Sequence, residues 1–203
     1  MSAERVSEIP QDLKTALENY ALGFLRQGRQ EWDEPHTRAV VYYAAEIAKT
    51  EGLDALVLVT AAWLHDIGYY GMFKQDESKQ YDTVMDRKTA HMFEGARLAV
   101  EFLRRPEIQT FYTLEQIDRI VHLVLVHDKI EELREIDEIA LMEADTLGAI
   151  DVARVKPTFD NENARKYINN DLIPRRYSGF LTPTGIKLFS RLFPKFEAYF
   201  KQG

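Results

Sequence analysis

Apolar residues in this chain recur mostly at the spacing of an α-helix, and no stretch alternates convincingly between apolar and polar residues over six positions. This pattern predicts an all-α fold. The segment from Asp54 to Asp66 is apolar almost all the way round a helix, which indicates a central, buried element. Its apolar run, Ala55 to Leu64, is shorter than the ~20 residues that a bilayer crossing needs.

Periodicity, capping residues and prolines predict the other helices. These cover about 10–28, 34–52, 89–104, 113–129 (with Thr113 and Gln116 as a capping box), 135–153 and 161–170, and a last helix starts at Thr184. Residues 68–88 are polar, charged and without steady periodicity, which is typical of a long loop and often of a functional lid. A second loop is predicted around Pro174, and Pro194 is expected to kink or break the last helix.

Composition excludes several classes of protein. The 203 residues fit one domain, and the absence of cysteine excludes a disulfide scaffold, a thiolate zinc site and a cysteine nucleophile. A net charge of −7 provides no global attraction for nucleic acid or for an anionic membrane, so neither partner is expected. Residues 1–10 lack an apolar signal core, so we expect a cytoplasmic rather than a secreted protein.

Without cysteine, a transition-metal site has to be built from the five histidines and from carboxylates. His36 lies in the first turn of the second helix, and His65 and Asp66 end the third helix. Because the loop around Gly52 makes these helices antiparallel neighbours, we expect His36 and His65 at the same end of a helical hairpin. Taken alone, His65 and Asp66 also fit a hydrogen-bonded pair at a helix end.

Asp145 lies on an otherwise apolar helix face, where an unpaired carboxylate is costly. A role as a ligand and a salt bridge to an arginine such as Arg154 both explain its position.

The remaining histidines differ in their helix faces. His122 and His127 are five residues apart, about 140° around one helix, so one ion does not easily take both. His127 lies on the apolar face and is the better candidate ligand, whereas His122 lies among polar neighbours. His91 faces Gly95, whose small size allows close approach of another element.

These residues, in this order, resemble the HD superfamily of metal-dependent phosphohydrolases, in particular its branch of small bacterial HD-domain hydrolases. The similarity covers about residues 33–155. It rests on His36, on the string from Trp63 to Gly68, on the segment from His91 to Ala96, and on Glu143 to Leu147 continuing to Val155. The resemblance implies a compact helical HD-domain bundle with an extra N-terminal helix. Residues 156–203 would form a C-terminal helical extension packed on it, within one domain.

The resemblance also implies a set of ligands. His36, His65, Asp66 and Asp145 would bind a divalent ion, and Asp66 would orient or deprotonate the attacking water. His91 and His127 would bind a second ion or contact phosphate. Imidazole and carboxylate donors do not distinguish manganese, iron, nickel, cobalt, zinc or magnesium.

The implied reaction is hydrolysis of a small phosphoester or phosphoanhydride by metal-bound water, with a nucleotide as the favoured substrate. Four cations are candidate substrate contacts, namely Lys74, Arg87, Lys88 and Arg154. Arg175 and Arg176 are further cations, and a solvated surface position is favoured for all of these side chains except Arg154. The C-terminal apolar stripe that includes Phe196 and Phe200 is typical of a core or of a homodimer face.

Two other functions stay open for such a chain. One is a regulatory HD module that binds metal or nucleotide without turnover. The other is non-phosphate chemistry at the same residues, as in di-iron oxygenases or hydratases of the wider superfamily.

Overall fold

The computed structural model describes residues 9–29, 31–74 and 76–201 of the chain. Within these ranges the protein has nine α-helices and no β-strand, which confirms the all-α prediction. The helices are α1 (Gln11–Leu25), α2 (Asp33–Glu51), α3 (Ala55–Leu64), α4 (Tyr81–Leu103), α5 (Pro106–Gln109), α6 (Leu114–Val126), α7 (Ile136–Ile150), α8 (Asn161–Tyr167) and α9 (Pro183–Lys201). The expectation that residues 1–10 are not a signal segment concerns a stretch of which residues 1–8 lie outside the part of the chain that the structure describes.

The hairpin of α2 and α3 forms as its sequence predicts. Gly52 ends α2 with a positive φ of 71°, a left-handed conformation that glycine adopts at little cost. Asp54 caps α3 by accepting a hydrogen bond from the backbone N–H of Val57. Residues 57–64 of α3 are all buried, so this helix forms the centre of the core. None of the described helices combines the length and the apolar character that crossing a membrane requires.

Helix α4 begins at Tyr81, so the prediction of a loop over 68–88 is wrong for its last eight residues. The apolar periodicity at its start is carried by only two buried side chains, Tyr81 and Val84, which charged neighbours obscure in the sequence. A residue distant in sequence fixes the start of the helix, because the Tyr81 N–H donates to Asn163 Oδ1 at 2.9 Å. Residues 67–80 contain two short 3₁₀ turns, Ile67–Tyr69 and Glu77–Lys79.

The predicted loop around Pro174 is also wrong, because a nine-residue π-helix, Ile168–Arg176, continues directly from α8. Likewise, Pro194 does not break α9, which runs through it. Phe189 and Phe196 lie on both sides of this proline, two turns apart and both buried, so packing of one helix face outweighs the missing hydrogen bond. Helix α9 packs against α7 and α2, and α8 packs against α4.

Gly68 allows a close approach between the end of α3 and helix α4. A Cβ atom at Gly68 would collide with the backbone carbonyl of His91 and the backbone nitrogen of Gly95, both in α4. The role expected of Gly95 thus falls mainly to Gly68, because a Cβ atom at Gly95 would lie 3.3 Å from Val124 Cγ1 and 3.4 Å from the carbonyl oxygen of His65. The contact of Gly68 sets the distance between the end of α3 and the histidine of α4.

Candidate metal centre

Six buried histidine and aspartate side chains from five helices converge on one point. Two of the histidines cap the C-termini of helices: His65 follows α3 and His127 follows α6. The predicted ligands that the structure brings together here are His36, His65, Asp66, His91, His127 and Asp145, and their exposed fractions are all 7% or less.

His36, His65, Asp66 and Asp145 form the first half of this cluster. His36 Nε2 lies 3.0 Å from Asp145 Oδ1 and 3.5 Å from Asp66 Oδ2. His65 Nε2 lies 3.2 Å from Asp66 Oδ2 and 3.8 Å from Asp145 Oδ1. Because ligand atoms that share one ion at about 2.0–2.2 Å lie roughly 3–4 Å from one another, the spacing of His36, His65 and Asp66 fits a single cation, with Asp145 beside the two histidines.

Asp66 also belongs to the second half, which His91 and His127 complete. Its other oxygen, Oδ1, lies 3.4 Å from His91 Nε2 and 3.8 Å from His127 Nε2. The two imidazole nitrogens are 3.1 Å apart. The two oxygens of Asp66 therefore face two different pairs of histidines.

The ends of α3 and α6 set the tautomers of two histidines. His65 Nδ1 donates to the carbonyl of Ala62, and His127 Nδ1 donates to the carbonyl of Val124, each at 2.8 Å. Such carbonyls in a last helical turn lack a partner within the helix. With the proton on Nδ1, the lone pair of a neutral imidazole lies on Nε2, the atom that faces the cluster. His65 Nε2 is buried and has no hydrogen-bond partner among the described residues, as expected for a metal ligand.

Aromatic rings orient the other two histidines. The Trp32 ring stacks on His36 with centroids 5.3 Å apart, and Tyr69 stacks on His91 with centroids 3.9 Å apart. Arg29 also contacts the Tyr69 ring, with its guanidinium carbon 4.2 Å from the centroid. The ring planes of the candidate ligands are thus fixed by packing.

Cations contact the outer side of the cluster. Arg29 forms ion pairs with Asp66 Oδ2 and, at 2.5 Å, with Asp33 Oδ1. Arg176 donates to Asp145 Oδ2 at 2.7 Å. Asp145 therefore pairs with Arg176 and not, as one alternative suggested, with Arg154.

A second network of charges lies beside these pairs. Lys88 Nζ donates to Asp128 Oδ1 at 3.0 Å and to Asp171 Oδ2 at 3.3 Å. Arg176 pairs with the same two carboxylates, through Nη2 to Asp128 and through Nε to Asp171. The expectation of a surface position for Arg176 is wrong, because only 5% of this residue is exposed.

These contacts keep the candidate carboxylate ligands ionised. Burial raises the pKa of Asp66, but the charges of His65 and Arg29 outweigh burial and hold it well below its usual range. For Asp145, burial is likewise outweighed by Arg176 and His36. Burial alone would lower the pKa of His65, but Asp66 and Asp145 raise it to about 9, so a cation that binds Nε2 would replace a proton there. Ionised carboxylates are the form that binds a cation.

The charges of the site do not balance within the protein. With the imidazoles neutral, as metal ligands require, six carboxylates (Asp33, Asp66, Asp128, Glu131, Asp145 and Asp171) are joined by four cations (Arg29, Lys88, Arg175 and Arg176). Two negative charges are in excess at a site where burial makes unpaired charge costly. This excess, the donor types and the unpartnered His65 Nε2 fit a divalent cation.

A cavity of about 80 Å³ opens beside the cluster. Because a water needs roughly 10–15 Å³ of such space, the cavity has room for several waters or a small polar group. One wall is charged and contains Asp66, Asp145 and Lys88. The opposite wall is apolar and includes residues Val84, Met85, Phe159, Phe196 and Phe200.

Three of the predicted substrate contacts lie away from this cavity. Arg154 is 45% exposed and pairs with Asp151 at 3.2 Å. Lys74 is exposed, and Arg87 is half-exposed near Glu77. Of the four candidate cations, the structure brings only Lys88 to the cavity. His122 lies outside the cluster, as expected, and contacts Glu138 at 2.8 Å.

Several residues of the site were not predicted. Asp128 has a local signal, because it follows His127 at the end of α6 just as Asp66 follows His65 at the end of α3. Arg29 and Trp32 precede α2 in a stretch without a recognisable pattern. Arg176 is distant in sequence from every ligand, so only the fold shows its contact with Asp145.

The site is therefore a buried histidine and aspartate cluster in an all-α bundle, and the comparisons agree with that class. The model of the HD domain family matches residues 35–154. The chain belongs to the HD domain family, which confirms the resemblance found in the sequence. A crystal structure of a "predicted HD superfamily hydrolase" from an uncultured Thermotogales bacterium has a TM-score of 0.60 and 19% sequence identity, and the match covers 93% of this chain and 89% of that one. At this identity the likeness shows a shared fold. A comparison with curated proteins gave no significant match.

Proposed function

We propose that this protein is a metal-dependent hydrolase that cleaves a small phosphoester or phosphoanhydride. The observation that carries the proposal is the position of Asp66. Its Oδ2 faces His36 and His65, and its Oδ1 faces His91 and His127. A carboxylate placed in this way would bridge two divalent ions. Such a pair would activate water and neutralise negative charge on the oxygens of the attacked phosphoryl group.

The protein side chains have separate roles in this proposal. Asp145 completes the ligands on the side of His36 and His65. Because both oxygens of Asp66 face imidazoles, Asp66 serves as a ligand and positions the water rather than taking its proton. The proton acceptor that we propose is Asp128, which lines the cavity and whose Oδ2 lies 3.9 Å from His91 Nε2.

The substrate class follows from the walls of the cavity. Lys88 uses two of its three ammonium donors on Asp128 and Asp171, which leaves one for an anionic oxygen. Arg29 is held by Asp33 and Tyr69 and also lines the cavity. These cations suit a phosphoryl group, and the apolar wall suits the organic part of an ester. A nucleotide remains the substrate that the sequence favours.

The comparisons support the class of reaction. The similar Thermotogales protein is described as a predicted hydrolase, and its likeness to this chain extends over nearly the whole length of both. The family match includes every candidate ligand, from His36 to Asp145.

The test begins with metal-free protein that is reloaded with each candidate metal in turn. Metal content is measured by mass spectrometry, and phosphate release is measured with an aryl phosphate and with nucleoside mono-, di- and triphosphates. We expect close to two ions per chain and release of phosphate. Binding of nucleotide without any release would favour a regulatory module, and oxygen consumption with iron would favour oxygenase chemistry; either result would overturn the proposal.

Two histidine variants provide a matched comparison. His91→Ala should lose one ion and most activity, because His91 Nε2 faces Asp66 Oδ1. His122→Ala should keep both ions and the activity, because His122 is partly exposed and its Nε2 faces Glu138 of α7, outside the cluster. Equal behaviour of the two variants would contradict the assignment of His91.

A further inference from the structure

Arg176 reaches the candidate metal centre from outside the segment that defines the family. It is the last residue of the π-helix, 22 positions beyond the end of the family match at residue 154. Its guanidinium is nevertheless buried beside Asp145.

The π-helix explains how this side chain is placed. A π-helix joins residue i to residue i+5, so residues five apart lie about one turn apart on the same face. In an α-helix they would be about 140° apart. Asp171 and Arg176 are five apart in Ile168–Arg176, and Asp171 Oδ2 accepts from Arg176 Nε at 3.1 Å.

All three nitrogens of the guanidinium have partners. Besides Nε on Asp171, Nη1 donates to Asp145 Oδ2 at 2.7 Å and to Thr146 Oγ1 at 3.2 Å, and Nη2 donates to Asp128. The planar fork of an arginine fixes the relative positions of these partners, which a lysine does not reproduce. Because four of its five N–H donors are used by protein, the main action of Arg176 at the cavity is through the residues that it holds.

The consequence concerns the orientation of Asp145. With Oδ2 held by Arg176, the remaining oxygen, Oδ1, points to His36 at 3.0 Å and to His65 at 3.8 Å. Rotation of the carboxylate away from the histidines would break the pair with the buried arginine. Hydrogen-bond partners of this kind orient metal ligands in many sites.

We propose that Arg176 is a positioning residue that orients Asp145 as a metal ligand, so that the segment after residue 155 is part of the metal site. This inference rests on the proposed function, because it takes Asp145 as a ligand. It assigns to the C-terminal segment a role in binding the ion in addition to its packing on the bundle.

The experiment titrates metal-free protein with Mn²⁺ and measures affinity and the number of ions by calorimetry. Arg176→Gln removes the fork and should weaken Mn²⁺ binding by about 10–100-fold, the usual effect of losing a partner of a metal ligand. The ion on the side of Asp145 should be lost first, so the ratio of ions to chain should fall from two towards one. Arg191→Gln is the matched control, because Arg191 is an exposed residue of α9 in the same C-terminal segment and belongs to none of the ion pairs of the site.

Two further variants separate positioning from charge and from folding. Arg176→Lys keeps the charge without the fork, and we expect its Mn²⁺ affinity to stay well below that of the wild type. Asp171→Asn leaves Arg176 intact but weakens its anchor at Nε, and we expect a smaller loss of affinity. Circular dichroism and thermal unfolding show whether each variant is folded. If Arg176→Gln does not fold, Asp171→Asn and Arg176→Lys provide the test.

The outcomes distinguish this inference from the proposed function. Mn²⁺ affinity equal to that of the wild type in folded Arg176→Gln, or fully restored in Arg176→Lys, would overturn the positioning role alone. A wild-type protein that binds no divalent ion would overturn the proposed function, and the inference with it.

Discussion

At the scale of single residues, the site contains two His-Asp pairs with the same local structure and different surroundings. His65 and His127 each cap a helix and donate from Nδ1 to a carbonyl three residues earlier. The aspartates that follow them differ, because Asp66 faces four imidazoles whereas Asp128 faces Lys88 and Arg176. Partners from other helices thus distinguish the proposed ligand, Asp66, from Asp128.

Replacing Asp128 by asparagine tests the role that this difference predicts. Asp128→Asn keeps an oxygen for Lys88 and Arg176 but removes the proton acceptor, so kcat should fall by about 100-fold or more. The metal content should stay at the wild-type ratio, because the ligands are unchanged. Steady-state kinetics and metal analysis measure the two effects, with the exposed Asp86→Asn as control. An unchanged kcat would exclude Asp128 as the acceptor, and a lost ion would make it a ligand.

Glu138 predicts a dependence of stability on pH that does not involve the metal site. Its Oε2 accepts from the backbone N–H groups of Arg134 and Glu135 at 2.8 and 3.1 Å, and its Oε1 lies 2.8 Å from His122 Nε2. Burial raises the pKa of Glu138, but these donors and Arg119 outweigh burial and lower the pKa to about 2. The folded state therefore favours the ionised carboxylate.

Because the pKa of Glu138 is lower in the folded than in the unfolded chain, its stabilisation is complete above about pH 4.5 and is lost as the pH falls towards 2. A difference of this size corresponds to roughly 3 kcal/mol, which Glu138→Gln should remove at pH 7. Urea unfolding at pH 7, 5 and 3.5 measures it: the stability gap between variant and wild type should shrink as the pH falls. The exposed Glu132→Gln is the control, and a gap that does not change with pH would contradict the prediction.

At the scale of elements, local signals predicted most of the helices and tertiary contacts determined the rest. Thr113 and Gln116 form the predicted capping box, and the hairpin of α2 and α3 turns at Gly52 as expected. The start of α4 depends on Asn163, which is distant in sequence from Tyr81. The π-helix is joined to α4 by the ion pair of Asp171 with Lys88, a residue distant in sequence that no local pattern indicates.

The residues of the site can likewise be divided into those with local sequence signals and those fixed by tertiary contacts. The residues around which the HD resemblance was recognised, His36, His65, Asp66, His91, His127 and Asp145, are brought together by the fold. Arg29 and Arg176 lie outside the matched segment, and their roles depend on which carboxylates they meet. A sequence pattern identifies residues with strong local constraints, whereas the contacts of these two arginines with Asp66 and Asp145 join residues that are distant in sequence.

The contact between the end of α3 and helix α4 predicts the effect of a single methyl group. In Gly68→Ala the added Cβ would collide with the backbone of His91 and Gly95, which has no flexible side chain to move. We expect a loss of about 1–3 kcal/mol in the free energy of unfolding and weaker metal binding through a displaced His91. Gly23→Ala is the control, because Gly23 has no atom within 4 Å of the added Cβ and lies exposed within α1, where alanine should stabilise by roughly 0.5–1 kcal/mol. Chemical denaturation and Mn²⁺ titration measure both variants, and a Gly68→Ala protein as stable as the wild type would contradict the prediction.

At the scale of the whole molecule, the excess of negative charge at the centre links metal binding to stability. Five helices, the loop before α2 and the π-helix each place charged or ligating groups around the cluster, so repulsion there acts on contacts between most elements of the bundle. A cation that binds the folded chain and not the unfolded one stabilises it by mass action. Metal binding should therefore raise the melting temperature of the entire protein as one transition.

We expect a free Mn²⁺ concentration about 100-fold above Kd to stabilise the chelator-treated protein by about 2.7 kcal/mol for each ion. For a chain of 203 residues this corresponds to a rise in Tm of roughly 5–10 °C for one ion, and more for two. Differential scanning calorimetry with and without Mn²⁺ measures the shift. His122→Ala should keep the shift, because its side chain lies outside the cluster, whereas His65→Ala should lose most of it together with the unpartnered Nε2. The same shift in His65→Ala as in the wild type would mean that Mn²⁺ stabilises the fold from another site, and the charge excess at the centre would then have a different counterion.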